Sequence, residues 1–112
     1  MWSRNRGRNF PAISAARCPS PWCARKGQAS RWIDYRISCY QPMAHVALHT
    51  HKVQEQVYHV LDGEGMMEMD GRRQVVRKHD VIYIPPGVEH AISNTGLADL
   101  TFIVATAPVD DE

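Results

Sequence analysis

The chain has 112 residues, with 13 Lys or Arg against 12 Asp or Glu and a formal net charge of +1. That length gives a single domain able to bury a core without staples. No apolar run approaches the roughly 20 residues of a membrane span, and a near-neutral chain carries no nucleic-acid signal, so neither a membrane nor a nucleic acid is an expected partner.

The charge is unevenly spread. Residues 1–31 hold seven basic residues, Arg4, Arg6, Arg8, Arg17, Arg25, Lys26 and Arg31, and no acid. The segment is rich in Ser, Ala and Pro and shows no sustained period of 2 or 3.6. It reads as an irregular, basic and flexible N-terminal arm outside the core. Two origins stay open for it. One is an organelle transit peptide, against which the helix-breaking Pro11, Pro19 and Pro21 count. The other is a translated upstream segment or disordered arm. No apolar stretch follows the basic start, so a secretory signal is not expected. Cys18, Cys23 and Cys39 form an odd set with no second pair for a zinc finger. They are expected as reduced thiols in a cytoplasmic protein.

From Trp32 onward the pattern is β. Residues 33–40 alternate and are rich in strand formers. Pro42 breaks that run, residues 44–48 begin another, and 57–61 follow. The turn Asp62-Gly63-Glu64-Gly65 leads into 66–69. Asp70-Gly71 is a hairpin signal, because glycine tolerates positive φ. Residues 74–77 and 81–84 are further strands. Pro85-Pro86-Gly87 makes a rigid corner, and 91–93 and 100–106 complete the series. No segment shows a helical period. Many short strands punctuated by Gly, Pro, Asn and Asp predict an all-β sandwich or barrel over residues 32–112. In a small closed barrel alternate side chains point inward, and the mouth holds one ligand.

Three histidines give that interior a chemistry. In His49-Thr50-His51 the two imidazoles lie at i and i+2, which places them on one face of an extended strand. His90 returns on another strand. Inward polar side chains are costly unless something satisfies them, and one metal ion satisfies several imidazoles at once. The expected cofactor is a single divalent transition metal, with Fe, Mn, Zn, Ni and Cu all compatible. No nucleophilic elbow, phosphate-binding glycine loop or paired-carboxylate arrangement is present, so the expected chemistry belongs to the metal.

Residues 43–94 resemble the two sequence motifs of the cupin superfamily, in its small single-domain form. The first is carried by His49-Thr50-His51 and Gly63, the second by Pro85-Pro86-Gly87, His90 and Asn94. The resemblance implies a jelly-roll, double-stranded β-helix barrel. Met43 and His79 stand where the motifs open on glycine. The fourth ligand position is ambiguous. Counting forward from His51 admits Glu55 or Gln56, whereas counting back from Gly63 selects Gln56. Neighbouring strand residues point to opposite faces, so only one of the two reaches the metal. The expected ligand set is His49, His51, Gln56 and His90, with Glu55 as the alternative to Gln56. Tyr58, of Gln56's parity, and His45, of His49's parity, are assigned to the pocket. His59 and His79 are assigned to the surface.

The resemblance implies a metal-dependent enzyme acting on a small organic substrate, first a dioxygenase of an enolic or aromatic compound. An isomerase, cyclase or lyase using the metal as a Lewis acid is the alternative. A non-catalytic small-molecule-binding module is the third. A homodimer is the expected assembly, since a barrel this small leaves sheet edges to cover.

Overall fold

Short runs of β-branched and aromatic residues, each stopped by Asp, Gly or Pro, build a structure of strands. The structure, a computed structural model, describes Trp2–Asn5, Ile13–Ala15 and residues 32–111. Its strands are β1 (Trp2–Asn5), β2 (Ile13–Ala15), β3 (Asp34–Tyr40), β4 (Glu55–Asp62), β5 (Glu64–Met69), β6 (Arg72–Arg77), β7 (Val81–Ile84), β8 (His90–Asn94) and β9 (Leu100–Ala107). They form a larger sheet in the order β2-β1-β3-β9-β4-β7 and a smaller one in the order β6-β5-β8. Every pairing is antiparallel except that of β1 with β3. The segment read as an irregular arm thus contributes two short strands to the edge of the larger sheet. Its remainder, with Cys18 and Cys23, lies outside the described residues.

Alternation decides what faces inward. Along β4, Gln56, Tyr58 and Val60 are buried while Glu55 is exposed. β8 buries His90, Ile92 and Asn94, and β9 buries Leu100, Phe102 and Thr106. Phe102 packs edge-on against Tyr40, with ring centroids 5.1 Å apart, and against Tyr58 at 5.4 Å. Asn94 closes one end of this core. Its amide nitrogen donates to the carbonyls of Tyr40 and Ala98, and its oxygen accepts from the Gly96 N–H. Cys39 is buried, its thiol donating to Asp99 Oδ2. Among the described residues no helix is long and apolar enough to cross a membrane.

The run predicted at 44–48 is the main local departure. It lies beside β8 but touches it only through isolated bridges, His45 to Ser93 and His49 to His90. Four positions separate the two histidines and three separate their partners. One extra residue therefore bulges out between them, and a single-residue insertion reverses which face later side chains take. His45 and His49 consequently do not share a face, although their spacing on a regular strand says that they do.

The turns behave as the residue types dictate. Asp70 (φ 50°) and Gly71 (φ 76°) are both left-handed, and Met69 pairs with Arg72 across them, which makes a two-residue hairpin of the primed kind. Met43 (φ 74°) and His79 (φ 78°) are left-handed as well, at the two places where the family motifs open on glycine. A side chain in that region costs roughly 1 kcal/mol or more. Met43 is 80% exposed and His79 is exposed, so neither gains packing in return. Met43→Gly and His79→Gly are each expected to raise the unfolding free energy by about 0.5–1 kcal/mol in denaturant titrations. A loss of stability in both would show that the side chains hold these turns.

Candidate metal centre

The site is assembled where the bridged segment, the start of β8 and the start of β4 meet. His49 and His90 exchange backbone hydrogen bonds, His49 N–H to the His90 carbonyl at 3.0 Å and His90 N–H to the His49 carbonyl at 2.9 Å. The rigid Pro85-Pro86-Gly87 corner is tied to the same place, the Gly87 N–H donating to the His51 carbonyl at 2.8 Å. These bonds bring three rings together. Their centroids are 4.2 Å apart for His49 and His90, 5.0 Å for His49 and His51, and 5.4 Å for His51 and His90. One ring nitrogen of each lies within 4.8 Å of the others, so the three histidines are positioned to hold one metal ion.

The protonation pattern fits that role. The Nδ1 of His49 lies 2.8 Å from the Ala47 carbonyl, and that of His90 lies 2.9 Å from the Val88 carbonyl. A carbonyl only accepts, so Nδ1 carries the proton and each Nε2 carries a lone pair. His90 Nε2 then stands 3.0 Å from Gln56 Oε1, another lone-pair bearer. Full protonation of the ring would remove that conflict, but burial holds the His90 pKa below its ordinary value, and His49 and His51 nearby lower it further. A shared cation satisfies both lone pairs, as does the other orientation of the Gln56 amide, with its nitrogen donating to His90 Nε2 and its oxygen accepting from the Thr106 hydroxyl. His51 Nε2 argues for the cation: it is buried and has no hydrogen-bond partner. A buried nitrogen without a partner is costly, and a metal ion supplies one.

Gln56 and Glu55 separate as their parity requires. Gln56 is 8% exposed, and its amide nitrogen donates to Thr106 Oγ1 at 3.0 Å, which turns its oxygen toward His90. Glu55 points outward and accepts from the Tyr83 hydroxyl at 3.0 Å. Tyr58 is a core residue whose ring edge approaches His90, with centroids 6.2 Å apart. Burial, with Tyr40 nearby, pushes its phenol pKa up, so Tyr58 stays neutral. His45, assigned to the pocket by parity, is exposed and lines a separate groove of about 450 Å³ with Leu48, Met66 and Ser93. The bulge before His49 is what removes it from the cluster. His79 is exposed, and His59 is half-buried on the outward parity of β4.

Two participants escaped the sequence reading. Thr106 orients Gln56, and its signal was a hydroxyl at an inward position of an otherwise apolar strand. Asp111 accepts hydrogen bonds from the N–H groups of Val53, Lys52 and Gln54, and its Oδ2 lies 3.7 Å from His51 Nδ1. The Val53 bond first, then those of Lys52 and Gln54 and the nearby His51, hold its carboxyl down at about 2. Nothing in the sequence pattern marks it. Beside Gln56 opens a polar cavity of about 320 Å³, lined by Asp34, Arg36, Ser38, Gln54, Gln56 and Thr106 among others.

The chain is similar to known proteins. The chain is 36% identical over 62 residues to an oxalate-binding protein of Thermotoga maritima, covering 55% of this chain and 51% of that one. It is 39% identical over 61 residues to an uncharacterized protein of Methanocaldococcus jannaschii, covering 54% and 49%. The chain thus spans about half the length of the curated relatives it matches. Among solved structures, it superposes with a TM-score of 0.67 on a predicted oxalate decarboxylase of Thermotoga maritima at 28% identity, covering 70% of this chain and 69% of that one. Residues 36–106, the stretch that holds all three clustered histidines and Gln56, match the Cupin_2 family of cupin domains, and the chain belongs to that family.

Proposed function

We propose that residues 32–112 form a metal-dependent cupin domain whose barrel takes a small, oxygen-rich anion, an oxalate-like carboxylate or an enolate. The ion is held by His49, His51, Gln56 and His90. The observation that carries the reading is one ring nitrogen from each of His49, His51 and His90 lying within 4.8 Å of the others, with the Nε2 of His51 buried and without a partner. A divalent transition metal there supplies Lewis-acid polarisation of a bound oxygen and, if redox-active, chemistry with dioxygen. The protein supplies the rest. Three imidazoles and an amide are neutral, so they leave the dication its full charge, which favours an anionic oxygen ligand. Arg36 is the cation lining the adjoining cavity, and its Nε is anchored by Asp34 Oδ2 at 2.9 Å. A guanidinium fixed in this way suits the far end of a carboxylate ligand.

Likeness to an oxalate-binding protein and to a predicted oxalate decarboxylase, both of Thermotoga maritima, supports small carboxylates as the ligand class. Dioxygenase turnover of an enolic substrate is the enzymatic form of the same reading. We also propose a cytoplasmic homodimer that covers the outer edge of β7, where Val81 and Tyr83 are exposed.

The test is metal analysis of the purified, untagged protein followed by calorimetric titration with oxalate. One ion per chain is expected, with oxalate bound only when the ion is present. Arg36→Ala is expected to weaken oxalate about tenfold or more without changing metal content. Gln56→Ala is expected to weaken metal binding more than Glu55→Ala, and the reverse order would move the fourth ligand to Glu55. Oxygen uptake by iron- or manganese-loaded protein with enolic compounds separates turnover from binding. A protein that takes up no divalent metal on reconstitution sinks the reading.

A further inference from the structure

His49 and His90 obtain the tautomer that frees Nε2 in one way: each Nδ1 meets the carbonyl two residues back in the chain. His51 makes no such contact. Beside its Nδ1 stands the carboxylate of Asp111, at 3.7 Å. That distance is too long for a hydrogen bond. A negative charge at that range still favours the tautomer with its proton on Nδ1, facing the charge, and the lone pair on the buried Nε2.

Asp111 is itself held firmly. Its Oδ1 accepts from Val53 N–H at 2.8 Å and Gln54 N–H at 3.1 Å, and its Oδ2 accepts from Lys52 N–H at 3.0 Å. Three successive amides aimed at one carboxylate make a concave anion site, and this one is filled from within the chain. The same crossing is secured a second time by Gln54, whose side-chain nitrogen donates to the carbonyls of Pro108 at 3.1 Å and Val109 at 2.8 Å. Gln54 and Val109 also line the cavity beside Gln56. Residues 108–111 therefore grip the loop that follows His51, and Val109 adds one side to the cavity beside Gln56.

We propose that Asp111 is the positioning residue of the metal centre. It sets the tautomer of His51 and pins residues 51–54, so the segment that follows β9 governs metal affinity. This rests on the reading of the three histidines as metal ligands.

The experiment uses the full chain, labelled with ¹⁵N, at pH about 8, where imidazoles are neutral. Long-range ¹H–¹⁵N spectra of the metal-free protein report each histidine tautomer, amide exchange reports Lys52, Val53 and Gln54, and competition titration reports zinc affinity. In the parent protein His51 is expected as the Nδ1–H form, with the three amides protected. Asp111→Ala is expected to raise the Nε2–H population of His51, speed exchange at all three amides and weaken zinc about 10–100-fold. Asp111→Asn keeps an acceptor oxygen but loses the charge. It is expected to retain most of the amide protection while still shifting the tautomer and weakening zinc. If both variants leave the His51 tautomer and the zinc affinity unchanged, Asp111 merely ties down a loop and the proposal fails. If the parent protein takes up neither zinc nor any other divalent transition metal, it is the metal reading that fails, and the tautomer of metal-free His51 still decides the role of Asp111.

Discussion

His90→Ala is expected to abolish metal binding and to leave a folded but weakened barrel. The ring is fully buried, opens β8, and touches both the Val88 carbonyl and Gln56 Oε1. Removing it takes away one of three imidazoles, opens a cavity between the sheets and leaves the Val88 carbonyl without its donor. In metal-free protein the cavity and the lost contacts cost about 2–4 kcal/mol, less than the roughly 5–15 kcal/mol that holds a small domain together. His49→Ala is expected to lose the metal as completely, but it removes a half-buried ring and costs about 1 kcal/mol or less in the metal-free state. Urea unfolding with and without a chelator separates the two effects. Free metal at about 100 times its dissociation constant stabilises the parent protein by about 2.7 kcal/mol, and neither variant shows that gain. Full metal occupancy in His90→Ala would remove His90 from the ligand set.

That contrast also shows which parts of the site the sequence carries. Strand alternation marks β4, β5, β7, β8 and β9 because each has one buried face, and a period of two survives in the residue types. Asp70-Gly71 announces its hairpin because few other pairs tolerate two left-handed residues. Parity also separates Gln56 from Glu55, since adjacent strand residues cannot share a face. The same rule misplaces His45, because a bulge leaves no mark in the residue types when the strand that hosts it is held by two bridges only. The short strands β1 and β2, of four and three residues, are too brief to show a period. Asp111 is illegible for another reason: its bonds to the loop at 52–54 span 57 to 59 positions, and no local pattern encodes a contact at that range. The residues that would hold an ion are therefore readable in the chain, and those that orient them become visible only once it is folded.

Gly63→Ala is expected to cost about 3–4 kcal/mol, and Gly71→Ala about 1 kcal/mol. Both glycines are left-handed, with φ of 89° and 76°, so the backbone penalty on a new side chain is similar. Their surroundings differ. A Cβ on Gly71 meets nothing within 4 Å, whereas one on Gly63 would collide with the Asp99 carbonyl oxygen and stand 2.9 Å from the Leu100 Cα. Both of those atoms are backbone, at the start of β9, and cannot swing aside as the end of a flexible side chain would. Accommodating the methyl means moving Leu100, which is fully buried and leads into Phe102 at the centre of the core. Gly63 is also the residue from which the backward count selects Gln56, so the glycine that closes the first motif acts by letting β4 turn tightly beneath β9, at the far end of the strand from the metal. Metal affinity in Gly63→Ala should accordingly change little at temperatures where the protein stays folded. Unfolding free energies of the two variants check the first point, and zinc titration of folded Gly63→Ala checks the second. Equal losses of stability in the two variants would mean that conformational strain alone, without the contact to Asp99, fixes glycine at position 63.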